Sequence, residues 1–200
     1  MITHLFFDIG GVLLTNGWDH SERVRACAHF GLDVAEVEAL HAPRAEALEV
    51  GALSMDDYLR QVIFTRRRDF TPPEFVSLMQ SCSQPLPDSL VLLADLAAAG
   101  RTRLAALNNE SRELNQYRIE TYGLARFLSV FCSSCYLGAR KPEAEIYRRA
   151  CGILHADPAA CGFVDDRAEN LAVPRTLGWR CFHFASAATL RAELSAAGLL

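Results

Sequence analysis

Four short stretches of this 200-residue chain carry residue types suited to polar chemistry. Asp8 closes the apolar run Leu5-Phe6-Phe7 and is followed by Ile9, Gly10 and Gly11. Asn108-Asn109 follow Leu104–Leu107, Lys141-Pro142 open a helical pattern, and Asp165-Asp166 follow Phe163-Val164. The set contains three carboxylates, one ammonium and two carboxamides. Crowded carboxylates repel one another unless a cation joins them, and an all-oxygen ligand set favours a hard ion such as Mg²⁺. The lysine and the amides then remain to hold an anion, and a phosphoryl group suits that combination. Two glycines just past a strand keep side chains away, as a backbone must when it closely approaches something.

For these residues to meet, the chain must fold so that one edge gathers them. Short apolar runs predict strands over Thr3–Phe7, Thr102–Leu107, Leu128–Cys132, Cys161–Val164 and Trp179–Phe184. Between them, helical patterns cover Asp88–Ala99, Pro142–Gly152, Asp166–Leu177 and Ala185–Ala197, with capping residues, prolines and glycines where helices begin and end. That alternation predicts an α/β fold, a Rossmann-like parallel sheet flanked by helices. Ligands on such sheets bind at the carboxyl ends of the strands, which is where all four stretches fall. One interval breaks the rhythm. Helical patterns at Ser21–Gly31, Val34–Leu40, Arg44–Val50, Met55–Arg67 and Pro72–Ser81 run on without a strand. The expected organisation is therefore a core of residues 1–14 and 86–200, with a helical cap, 15–85, inserted after strand one.

The succession FFDIGG, LNN, RKP and FVDDRAEN resembles the four motifs of the haloacid dehalogenase (HAD) superfamily of phosphatases, across essentially the whole chain. Its first motif is similar to the D-x-G-[GN]-V form of small capped phosphatases, a branch that includes sugar-1-phosphate phosphatases. The resemblance implies that Asp8 is the nucleophile and forms an aspartyl-phosphate. The other Asp8 oxygen, the Gly10 carbonyl and Asp166 would hold Mg²⁺. Asp165 would hold a water of the metal or orient Lys141, and Lys141 would neutralise charge during attack. Asn109, with backbone amides near Gly11 and Asn108, would bind phosphoryl oxygens, and Asn170 would support the site from behind. The implied activity is Mg²⁺-dependent hydrolysis of a small phosphorylated metabolite, a sugar phosphate being one candidate.

Two departures keep alternatives open. Most phosphatases of the superfamily have a second aspartate, a general acid–base, where this chain has Gly10, and a Ser or Thr where it has Asn108. Losing such an acid typically costs about 10²–10⁴ in rate. A leaving group that needs little protonation, a proton from His20 or Glu110, or a non-catalytic phosphate-binding or interaction protein would each account for Gly10. A 2-haloacid dehalogenase, in which Asp8 displaces halide, is a further reading. Trp18, His20 and Glu49 lie where substrate contact and plain packing are both open. Taken singly, Asp8 also reads as a turn cap and Asp165-Asp166 as a helix N-cap.

Composition sets the outer bounds. Half the residues are hydrophobic and 22% are charged, as in ordinary globular chains, and the net charge of −4 argues against non-specific nucleic-acid binding. No run approaches the roughly 20 apolar residues of a membrane span, and Asp8 interrupts any signal-like start, so a cytoplasmic protein is expected. Seven cysteines are scattered along the chain, which suits reduced structural thiols. Cys132 and Cys135 have CxxC spacing without a second pair. The Arg66–Arg68 run reads as a solvated helix end, and oligomeric state leaves no trace in the sequence.

Overall fold

A computed structural model describes residues 1–200. Five strands, β1 (His4–Phe7), β2 (Arg103–Ala106), β3 (Val130–Phe131), β4 (Cys161–Asp165) and β5 (Arg180–His183), form one sheet in the order β3-β2-β1-β4-β5. Every pairing is parallel. β1 is central, with Phe6 opposite Ala105 on one side and Phe163 on the other. Period-two alternation sends Leu5 and Phe7 into a core with Val12, Leu93, Leu104 and Val164. Phe6 enters the opposite core with Tyr147, Phe163 and Trp179. The α/β prediction holds, because buried runs of this kind need cover on both faces.

The helices supply that cover. α1 (His20–Phe30), α2 (Val34–His41), α3 (Ala45–Glu49), α4 (Met55–Val62) and α5 (Pro72–Cys82) follow β1, and α6 (Pro87–Ala99) leads into β2. α7 (Arg112–Thr121), α8 (Ser134–Leu137), α9 (Ala144–Leu154), α10 (Ala168–Thr176) and α11 (Ala187–Ala196) complete the chain. The expected helix over Met55–Arg67 ends at Val62, where the Arg68 Nε donates to the Ile63 carbonyl at 2.7 Å and satisfies a terminal acceptor. The expected helix at Pro142 starts at Ala144. The expected strand Leu128–Cys132 shortens to Val130–Phe131 at the sheet edge.

α7 escaped the sequence reading. Its inward face is Leu114, Asn115 and Arg118, so it lacks the apolar stripe by which a helix is recognised. Arg118 is 2% exposed, and its Nη1 donates to Glu110 at 3.0 Å while Nη2 donates to the Thr15 carbonyl at 2.6 Å. It thereby ties α7 to the point where the chain leaves β1 for the helical insert.

The insert has its own apolar centre, in which Trp18, Tyr58, Met79 and Phe75 are buried. It lies against the strand-end side of the sheet through Leu114 of α7, which joins this apolar cluster, and through polar contacts. Ser134 Oγ donates to the Glu49 carbonyl at 2.6 Å, and Arg140 pairs with Glu49 at 3.1 Å and Glu46 at 3.3 Å. The Met55 N–H donates to Glu113 at 3.1 Å, and Arg167 pairs with Asp19.

A buried charge that loses its partner is costly. Arg118→Leu should lower unfolding free energy by about 3–5 kcal/mol, because Glu110 is left buried without a counter-charge. Arg118→Leu with Glu110→Leu should recover part of that loss. Urea denaturation of the three proteins checks both outcomes.

Candidate active site

The strand ends converge as the alternation requires. The Asp8 N–H donates to the Val164 carbonyl at 2.9 Å, extending the β1–β4 ladder one residue beyond β1. Lys141 reaches in from the segment before α9, with its Nζ 2.9 Å from Asp8 Oδ2 and 2.6 Å from Asp165 Oδ2. All three residues are buried. Asp165 is saturated further, because Asn170 Nδ2 lies 3.1 Å from both its oxygens and the Arg167 N–H donates to Oδ1 at 2.8 Å. Asn170 thus stands behind Asp165, at the cavity wall.

Burial pushes the Asp8 carboxyl up to about 6, against the pull of the Lys141 ammonium. For Lys141, burial works against the charged form, but Asp8 and Asp165 outweigh it and hold the ammonium above its ordinary range. Burial and the Asp165 charge raise Asp166. Carboxylate oxygens of Asp8, Asp165 and Asp166 lie within 4.8 Å of one another. Asp166 Oδ1 is buried without a hydrogen-bond partner. Three clustered carboxylates, one with an oxygen that has no partner, fit a hard divalent cation with oxygen ligands.

Gly11 acts differently from the expectation. The Gly11 N–H donates to the Leu14 carbonyl at 2.8 Å, so it is not offered to an anion. Gly11 has φ +73°, and a Cβ there would lie 2.3 Å from Asp166 Oδ2. Its lack of a side chain makes the turn possible and leaves room for that carboxylate. At Gly10 a Cβ would meet Asn16 Oδ1 at 3.2 Å and Arg118 Nη2 at 3.8 Å. The place of the usual second aspartate is therefore bordered by a carboxamide and a guanidinium.

The two asparagines also need correction. Asn109 faces the Lys141 backbone, accepting from its N–H at 2.9 Å and donating to its carbonyl at 3.0 Å. Its oxygen and one amide hydrogen position the lysine, and the second Nδ2–H belongs to a residue on the cavity wall. Asn108 turns inward, donating to Asn115 at 3.0 Å and accepting from Ser133 Oγ at 2.8 Å. Only its backbone remains for an anion.

A cavity of about 410 Å³ opens over Asp8 and Lys141, between the sheet edge and the insert. Of its wall residues only Trp18, Ala45 and Leu48 are hydrophobic. Arg23, His41, Asn16, Arg118 and Arg167 also line it; the sequence reading gave them no role, and of the five only Arg167 falls within a quoted motif. His20 and Glu110 are on the wall too. Glu110 is committed to Arg118 and to the Ser111 N–H at 2.9 Å, and His20 Nδ1 lies 3.2 Å from Glu38. Trp18 mainly packs within the insert, edge-on to Phe75. Glu49 meets Arg140. Away from the site, Cys132 and Cys135 are buried, and burial pushes both thiols up to about 12, the state of packing residues. Arg66 pairs with Glu36 from the exposed loop that follows α4, so the arginine run is solvated but does not end a helix. No helix is long and apolar enough to cross a membrane.

A family profile of haloacid dehalogenase-like hydrolases matches residues 2–178. The chain belongs to that family. This HAD-like hydrolase is 28% identical over 173 residues to flavin mononucleotide hydrolase 1 of Arabidopsis thaliana, covering 86% of this chain and 69% of that protein. It is 26% identical over 204 residues to the D-ribitol-5-phosphate phosphatase of Bacteroides thetaiotaomicron, with 98% of each chain covered. A HAD-family enzyme of the same organism, solved with magnesium and inorganic phosphate, superposes with a TM-score of 0.77 at 18% identity. That match covers 92% of this chain and 94% of the other and shows a shared fold.

Gly11→Ala should cost about 1–3 kcal/mol of stability, from the left-handed backbone and the overlap with Asp166 together. Gly31→Ala is the control, since Gly31 has φ +63° and nothing within 4 Å of its would-be Cβ. It should cost less, and urea denaturation of both variants isolates the part due to Asp166.

Proposed function

We propose that this hydrolase removes phosphate from a small, polar phosphate ester, such as a sugar phosphate, through a phosphoryl group carried transiently on Asp8, with Mg²⁺ as cofactor. The observation that carries the reading is the placement of Lys141 against Asp8 and Asp165, beside an Asp166 oxygen that has no partner. The phosphatase activity printed for the ribitol-phosphate relative supports it. So does the cavity wall, whose polar character favours a hydroxylated leaving group over a flat aromatic one.

In this reading an Asp8 carboxylate oxygen attacks phosphorus as the bond to the leaving oxygen breaks, and the leaving alkoxide takes up a proton. Water then attacks the same phosphorus, releasing inorganic phosphate and restoring Asp8. Lys141 balances the charge of Asp8 and the phosphoryl oxygens, Asp165 fixes the ammonium, and Asn109 fixes the backbone that carries it. Asp8, Asp166 and the Gly10 carbonyl would hold the Mg²⁺, which when bound neutralises phosphoryl charge as a Lewis acid. The helical insert acts as a cap that keeps bulk water from the cavity.

Gly10 offers no carboxyl to the leaving oxygen, and Glu110 is held by Arg118. Substrates that leave as weakly basic oxygens, anomeric, aryl or acyl, are therefore favoured over primary alkyl phosphates, by about 10²–10⁴ when protonation limits the rate.

Phosphate release from a panel of these esters tests the proposal. Turnover should require Mg²⁺, stop with chelator, and vanish in Asp8→Asn. Unchanged turnover in Asp8→Asn would end the covalent mechanism. Binding of a phosphate analogue with no hydrolysis of any ester would favour a non-catalytic protein, and chloride release from a 2-haloacid without metal would favour a dehalogenase.

A further inference from the structure

Three side chains in the insert form a hydrogen-bonded chain that ends at the cavity. Trp18 Nε1 lies 2.9 Å from Tyr58 Oη, and His41 Nδ1 lies 2.9 Å from the same oxygen. An indole N–H can only donate, so the Tyr58 oxygen accepts from Trp18. Tyr58 is fully buried, and the acceptor within reach of its own hydroxyl hydrogen is His41 Nδ1. Nδ1 must therefore present its lone pair, which places the ring proton on Nε2.

The surroundings keep that ring neutral. Burial and the nearby Arg23 charge lower its pKa to about 4, with Glu38 opposing. Three of the five Arg23 donors are taken, by Glu38 at 2.7 Å and 3.1 Å and by the Trp18 carbonyl at 2.6 Å. His41 nevertheless lines the same cavity as Asp8 and Lys141. Its Nε2 makes no hydrogen bond within the protein, and the residue forms part of the cavity wall.

We infer that His41 is a specificity residue whose Nε2–H, on a neutral ring locked in one tautomer, donates to a hydroxyl oxygen of the substrate's leaving group. The inference rests on the phosphatase reading and narrows its substrate class. The chosen esters are those whose alcohol carries a hydroxyl on the insert side of the cavity, ahead of plain alkyl or aryl phosphates. A neutral donor suits this task, since it recognises a hydroxyl oxygen without competing with Lys141 for the phosphoryl anion. When the matching hydroxyl is missing, the donor is left unpaired in a closed site, and that is what discriminates.

The kinetic test uses sugar-1-phosphates and their single-deoxy analogues, so that the leaving oxygen stays the same. One position should show a drop in kcat/KM of about 10- to 100-fold on deoxygenation in the wild type. That penalty should collapse towards one at the same position in His41→Leu and persist in part in His41→Gln, which keeps an N–H donor. A penalty that survives His41→Leu, or turnover with no penalty at any position, overturns the assignment alone. No turnover on any ester overturns the phosphatase reading and the assignment with it. An independent check needs neither turnover nor a variant. Long-range ¹H–¹⁵N spectra of the wild type should show His41 with an unprotonated Nδ1 and a protonated Nε2 at neutral pH. An Nδ1–H tautomer, or an imidazolium there, contradicts it.

Discussion

One ammonium, buried and held between two carboxylates, sets the terms for the rest of the site. Lys141 pairs with Asp8 and Asp165 in a buried position, and all three charges depend on one another. Removing the lysine would leave two carboxylates facing each other, and removing either carboxylate would leave a buried charge half balanced. Much of the local structure serves this trio. The β1–β4 ladder fixes Asp8, Asn170 and the Arg167 amide fix Asp165, and the Asn109 carboxamide grips both sides of the Lys141 peptide unit. The parallel sheet matters because it delivers those three anchors from different strands to one edge.

Polar burial also governs how the insert sits on the core. Arg118 joins α7, Glu110 and the Thr15 carbonyl, while Ser134 and Arg140 reach the α3 end of the insert. These contacts are directional, so they fix the cavity wall in a way that an apolar seam would not. The same logic recurs inside the insert, where the Trp18–Tyr58–His41 chain gives one imidazole a single hydrogen-bonding identity.

The frame of the molecule was legible because it rests on apolar periodicity. Leu5, Phe6 and Phe7 announce β1, Asp8 and Asp165-Asp166 each follow such a run, and Lys141 opens a helical pattern. What escaped was written in polar residues that point inward. α7 buries Asn115 and Arg118, residues a pattern reading assigns to solvent. The types of Asn108, Asn109 and Gly11 were read as suited to phosphate, but hydrogen-bonding partners decide their roles, and those partners come from Asn115, Lys141 and Leu14. No spacing along the chain encodes such pairings. Arg23 and His41 were invisible for a related reason, since they reach the cavity only through the packing of α1, α2 and α4.

The central claim is that Asp8 itself takes the phosphoryl group, and trapping that group tests it most directly. Turnover of an aryl phosphate would be quenched in acid within the first cycle, and the protein digested and analysed by mass spectrometry before and after borohydride reduction. The account predicts a phosphoryl adduct on the peptide that contains Asp8, lost on reduction as the acyl phosphate becomes an alcohol, and absent in Asp8→Asn. Full turnover with an unmodified Asp8 peptide under the same quench, or an adduct on another residue, would contradict it.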